Sequence, residues 1–258
     1  MTAADLLEVL WRDFVALAPQ AEEVRYLLAG CGEIVRNDRL TLRTFGAPGI
    51  GIDALARPFA RRGWRPRDHY HLRDRHLRAC LWQHDDAALP EIVVSEVAVE
   101  ELSCDARAVI GALVGQLPAR FGERDDAPSA GRPWLVSDAQ YRALLAECEH
   151  AAWVAAFGMR VHHVAIDVGA LSTFPDLAAL AAFLVEHGFQ LDERGAVRGS
   201  PGQRIACAAT RPDRVTVAFS DATVAILGGR YELTQRGGMP GEPRHGPHGG
   251  ATLVMGTT

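Results

Sequence analysis

The 258-residue sequence contains no lysine, and all 27 of its basic residues are arginine. A guanidinium keeps its proton, so a Schiff base, a pyridoxal phosphate lysine and the lysine of a phosphate-binding loop are all excluded. Positive charge is not in excess either. The formal net charge is −5, which gives no bulk attraction to nucleic acid or to an anionic membrane surface. The five cysteines (Cys31, Cys80, Cys104, Cys148 and Cys207) include no C-x-x-C pair. An odd, scattered set argues against a zinc ribbon or a disulfide framework and fits a reducing compartment, so a cytoplasmic protein is expected. No apolar run is long enough to span a bilayer, no signal peptide is read, and no solenoid repeat is present. Neither a membrane nor a nucleic acid is expected as a partner. The chain is long enough to bury a substantial core.

The stretch 137–168 organises what is present. Ser137 with Gln140 three residues on forms a capping box. The Ala- and Leu-rich run that follows predicts one helix as far as Gly158, which supplies a left-handed stop. The period then changes to two. Val161, His163, Ala165 and Asp167 share one strand face, and His162, Val164, Ile166 and Val168 share the other. The second face suits packing on a helix. The first is small and polar and carries a histidine, as the inner wall of a site would. A strand histidine is by default structural, so a ligand role for His163 needs support from its surroundings.

In chain order, Thr2 caps a first helix with Asp5 at N3, and Leu6, Leu10, Phe14 and Leu17 form its core stripe. Residues 32–46 alternate as a strand. Asn37, Arg39, Thr41 and Arg43 are expected on one face, with Leu40, Leu42 and Asp38 on the other. Helices are expected at 52–62, 100–117 and 176–187, strands at 92–99 and 230–236, and a hairpin from 215–219 and 223–227. Eight arginines crowd residues 57–78 beside His69, His71 and His76. With the global charge negative, this segment reads as a solvated face rather than a nucleic-acid reader or protein adaptor. The Pro-, Gly- and charge-rich residues 118–136 connect two halves. The chain is read as one domain, 1–258, with modules 1–117 and 137–236 and a tail, 237–258, whose His245 and His248 are incidental.

Several motifs, in order, resemble one family. A-E-C-E-H-A-A-W-V-A-A-F-G-M-R-V-H-H-V resembles the helix–strand junction of the 2-oxoadipate dioxygenase/decarboxylase (hydroxyglutarate synthase) family, which ends in Asn-His. N-D-R-L-T-L-R-T-F-G, G-I-D-A-L, G-W-R-P-R and L-P-E-I-V-V-S-E-V-A-V-E-E-L-S are similar to the family's earlier segments. G-A-V-R-G-S-P-G-Q resembles its Gly-Ser-Pro turn, and R-Y-E-L-T-Q-R its Tyr-Glu-Phe-Ala-x-Arg strand.

The resemblance implies an α+β fold, with two helix-plus-antiparallel-strand modules forming a cupped mixed sheet of vicinal-oxygen-chelate type. It also implies an Fe(II)-dependent dioxygenase/decarboxylase that takes a 2-oxo acid and O2 to a hydroxy acid and CO2. His163 and Glu232 then stand where the family has iron ligands, and Arg43 where it has the arginine that grips the substrate carboxylate. The remaining ligand position, a histidine in the family, is Arg39. A guanidinium has no free lone pair and cannot ligate iron. Asp167 lies four residues along the strand, roughly 13 Å from His163. His69 or His71 could complete the set. The alternative is a metal-free relative that binds a carboxylate through Arg39 and Arg43.

Overall fold

The computed structural model describes residues 1–192 and 205–237. In chain order the elements are α1 (Ala3–Val15), α2 (Pro19–Gly30), β1 (Asn37–Phe45), α3 (Ile52–Ala60), β2 (Arg65–Leu72), β3 (Leu77–Gln83), β4 (Glu91–Val97) and α4 (Cys104–Val114). They continue with α5 (Asp138–Glu147), α6 (Glu149–Phe157), β5 (Val161–Asp167), α7 (Leu177–Glu186), β6 (Ile205–Ala209), β7 (Arg214–Ala218), β8 (Thr223–Leu227) and β9 (Arg230–Arg236). The Gly-Ser-Pro turn and the tail histidines fall outside the described residues.

One seven-stranded mixed sheet has the order β2-β3-β4-β1-β5-β9-β6, and β7 and β8 form a separate hairpin. Its two halves repeat a plan. β1 runs parallel to β4, which pairs antiparallel with β3; β5 runs parallel to β9, which pairs antiparallel with β6. β1 and β5 meet antiparallel at the middle. This is the α+β, vicinal-oxygen-chelate-like architecture that the motifs implied. Taking the Leu40–Val164 pair as the centre, Arg39 and His163, each one residue back along its strand, fall at equivalent positions.

Period two explains the two faces. Leu40, Leu42, Ile92, Val94, Val164, Ile166, Tyr231 and Leu233 are all essentially inaccessible. They join Leu6, Leu10 and Phe14 of α1 and Val24 and Leu28 of α2 in one core. Thr2 and Asp5 close the capping box of α1, as the sequence requires. The opposite face carries the charged and small residues.

Four local expectations are overturned. The helix expected from Ser137 to Gly158 is two helices, broken at Cys148, which takes extended angles (φ −146, ψ 105). α5 buries only Leu144, whereas every residue of α6 from His150 to Phe157 is buried. One straight helix could not satisfy both environments, and the break turns α6 into the core. Gly158 has φ 84 but ψ −165, so it is not the left-handed stop; it is an extended turn at positive φ. A Cβ there would lie 2.3 Å from the Gly131 carbonyl oxygen, which restricts the position to glycine. At the start of β1 the register with β5 shifts between Asn37 and Arg39. This bulge turns Asn37 to the helix layer, where it accepts from the Arg25 guanidinium, and brings Asp38 to Arg236. Lastly, the helix expected over 100–117 begins only at Cys104, capped by Ser103.

Candidate functional site

The register assigns the site face strand by strand. Arg39 lies opposite Ala165 and Thr41 opposite His163. Arg230 pairs with His163, and Glu232 with Ala165. Glu91, Val93 and Ser95 stand beside Arg39, Thr41 and Arg43. Arg39, Arg43, His163, Arg230 and Glu232 therefore share one face, and all five are buried. Next to them Ala79, Leu81 and Val93 form a small apolar cluster against Tyr70.

Glu232 is the hub. Its Oε1 lies 3.8 Å from His163 Nε2, and its Oε2 lies 3.7 Å from Arg39 Nη2. Both separations are too long for hydrogen bonds but within ion-pair range. Three groups thus converge without closing on one another. Burial raises the Glu232 pKa against the pull of Arg39 and Arg230. Burial, and next the charge of Arg43, holds His163 well below the usual imidazole range, so it is neutral. Arg230 is tied to Asp192 at 2.8 Å. At the rim, Arg236 bridges Asp38 (2.8 Å) and Glu91 (2.7 Å).

Arg43 is different. Its side chain is among the largest fully buried ones, and neither Nη1 nor Nη2 has a hydrogen-bond partner. The guanidinium lies 5.5 Å from the Trp153 ring centre on α6. Desolvation pushes its pKa down to about 9, partly opposed by the Glu149 carboxylate. A buried guanidinium left with open nitrogens costs several kcal/mol unless an anion meets it.

Sequence pattern missed three contributors. A second register shift, between Thr41 and Leu42, sets the His162 ring against His163 (centroids 3.9 Å apart) and edge-on to Trp153 (4.7 Å). His150 of α6 is buried, and its pKa is held down by burial and by Arg43. Arg230 was also overlooked, although its spacing of two from Glu232 on one strand placed it on the same face.

His69 and His71 do not join the site. They lie on β2, three strands from β1, a distance of about 14 Å at normal strand spacing. His71 Nε2 is 2.7 Å from Glu101, and His69 faces Cys80. His69 instead lines a cleft of about 430 Å3 on the other side of the sheet, with Gly49, Gly51, Ile52, Asp53, Ala54 and Glu96. Glu96 in that cleft is already matched by the Ile52 amide and by Arg78.

No model of a known protein family matches the chain. The chloroplastic 2-oxoadipate dioxygenase/decarboxylase of Arabidopsis thaliana is 29% identical over 217 residues, 77% of this chain and 58% of that protein. The chain thus spans a little under three-fifths of that relative. A solved structure from Shewanella frigidimarina, which carries a provisional hydrolase name, is 34% identical. It superposes with a TM-score of 0.87 over 90% of this chain and 92% of its own.

The curated relatives are 2-oxoadipate dioxygenase/decarboxylases, and the chain is similar to that family.

Hydroxyglutarate synthase from Oryza sativa, solved with 2-oxoadipate, shares the fold at 24% identity, with a TM-score of 0.83 over 92% of this chain and 81% of that one. The family implies an iron held by two histidines and a glutamate, and the donor set here does not fit it. Among the described residues no three His, Cys, Asp or Glu side chains converge on a point. His163 and Glu232 supply two donors, and Arg39 brings a positive charge to within 3.7 Å of Glu232. A dication would have to share that space with a guanidinium and do without a facial third ligand. No helix among the described residues is long and apolar enough to cross a membrane.

Proposed function

We propose that this chain binds a 2-oxo dicarboxylic acid of the 2-oxoadipate class, with one carboxylate held on Arg43. The observation that carries this reading is the fully buried Arg43 guanidinium with both terminal nitrogens open. A planar carboxylate meets such a fork with two parallel charge-assisted hydrogen bonds. The Ala79–Leu81–Val93 cluster on the same face offers an apolar wall to the methylene chain. The names of the relatives, one of them solved with 2-oxoadipate, support the substrate class. Calorimetry with 2-oxoadipate tests the anchor. Arg43→Leu should cut affinity about 100-fold, and Arg43→Lys, which keeps charge but loses the fork, about tenfold. Unchanged affinity in both variants removes Arg43 from the site.

One observation favours a second reading, Fe(II)-dependent oxidative decarboxylation of the acid with O2: His163 Nε2 and Glu232 Oε1 stand 3.8 Å apart on adjacent strands. Against it stands Arg39 in place of a third donor. Stoichiometric Fe(II) in anaerobically prepared protein, together with O2 uptake driven by a 2-oxo acid, would establish this reading. Absence of both leaves the binding reading alone.

A further inference from the structure

The misfit with iron has a chemical consequence for ligand choice. A metal centre selects a 2-oxo acid because the oxo and carboxylate oxygens chelate together. A guanidinium makes no such demand, since it recognises the carboxylate alone. In this chain the group beside Glu232 is Arg39, buried, 3.7 Å from the carboxylate and not hydrogen-bonded to it. Four residues along the same strand face stands Arg43, with both terminal nitrogens open.

We infer that Arg39 and Arg43 together form a metal-free, two-ended clamp for dicarboxylates of five or six carbons, selected by span and not by a 2-oxo group. The clamp rests on the reading of Arg43 as a carboxylate anchor. Its span follows from strand geometry. Four residues separate the two Cα atoms by about 13 Å, and side chains on one face stand roughly parallel. Two guanidinium–carboxylate contacts take up about 4 Å each, which leaves about 5 Å between the carboxyl carbons. That is the separation in an extended five- or six-carbon diacid. Thr41 and His163 lie at the level between the two arginines, facing the middle of such a chain. Glu232 holds Arg39 only loosely, so the arginine can turn its fork to the incoming carboxylate while its charge remains balanced.

The test is calorimetry on the full chain, with metal removed by chelator, against succinate, glutarate, adipate, suberate, pentanoate and 2-oxoadipate. Glutarate and adipate should bind within about threefold of 2-oxoadipate, and succinate, suberate and pentanoate about tenfold or more weaker. The double variant R39Q/E232Q, which strands no buried charge, should bring the diacids down to the affinity of pentanoate. Arg39→Lys should fall between the two and guards against a folding defect in the double variant. Tight binding of 2-oxoadipate with adipate more than about tenfold weaker, or a gain on adding Fe(II), overturns the clamp while keeping the Arg43 anchor. If no acid binds, 2-oxoadipate included, both readings fall.

Discussion

Arg39 on β1 and His163 on β5 stand at equivalent places about the Leu40–Val164 centre, each flanked by the parallel last strand of its own half. The backbone plan is shared, but the chemistry is not. Beside an Arg230 already tied to Asp192, the β5–β9 half presents a neutral histidine and a carboxylate, both able to donate electron pairs. The β1–β4 half presents two guanidiniums, which can only donate hydrogen bonds. Repeated backbone geometry therefore positions a site without deciding what the site is for. At one of two equivalent positions a single side chain replaces a possible electron-pair donor by a guanidinium, which cannot ligate a metal.

Restoring the symmetry is the strongest way to break this comparison. Arg39→His places an imidazole at the position equivalent to His163 and should create stoichiometric Co(II) or Fe(II) binding where the parent has none. Metal analysis and the visible spectrum of the Co(II) form read this out directly. A parent that already binds one equivalent would show that the asymmetry has no consequence.

Removing the hub should have the next largest effect. Glu232→Ala leaves the buried Arg39 guanidinium without its carboxylate, 3.7 Å away in the parent. Loss of one partner of a buried pair costs about 3 kcal/mol, measurable by urea unfolding. R39Q/E232Q should recover most of that loss, because neither charge is then stranded. If the single and double variants are equally destabilised, the two residues do not act as a pair.

A smaller effect concerns a tie between the halves outside the site. Glu33, ahead of β1, accepts hydrogen bonds from the backbone amides of Ser172 and Thr173, just after β5. Hydrogen bonds from the Thr173 side chain and these amides hold its carboxyl at about 2, against an ordinary 4.5. A depressed carboxylate pKa contributes stability that is complete above pH 4.5 and is lost as the pH falls towards 2. Glu33→Gln should therefore be less stable than the parent at neutral pH, and the gap should close on acidification through that window. A gap independent of pH would show that the carboxylate charge is not what matters.

The segments legible in the sequence were those with a strong period or a cap. Thr2 and Ser137 started helices where their capping boxes placed them. Alternation put Arg39, Thr41 and Arg43 on one face of β1, and His163, Ala165 and Asp167 on one face of β5, as the ladder shows. Alternation failed at the two register shifts, because a bulge adds a residue without any mark in composition. Asn37, Asp38, Val161 and His162 were misplaced for that reason; Val161, expected on the face of His163, pairs with Leu42 in the core. His150 was invisible because a helix period says which residues are buried, not which charge lies across from them.

Composition and local pattern by themselves determined much of this protein. The absence of lysine excluded whole classes of chemistry, caps and periods set most elements, and Arg39 was visible as a residue that cannot ligate a metal. These are properties of single residues or of short-range geometry, which the chain carries wherever it folds. Only the tertiary structure decided that Arg39, His163 and Glu232 meet, that His69 and His71 stand three strands away, and that Arg43 is buried with its nitrogens open. Those facts depend on strand order and on which helix turns into the core, and both arise from the packing of residues far apart in sequence.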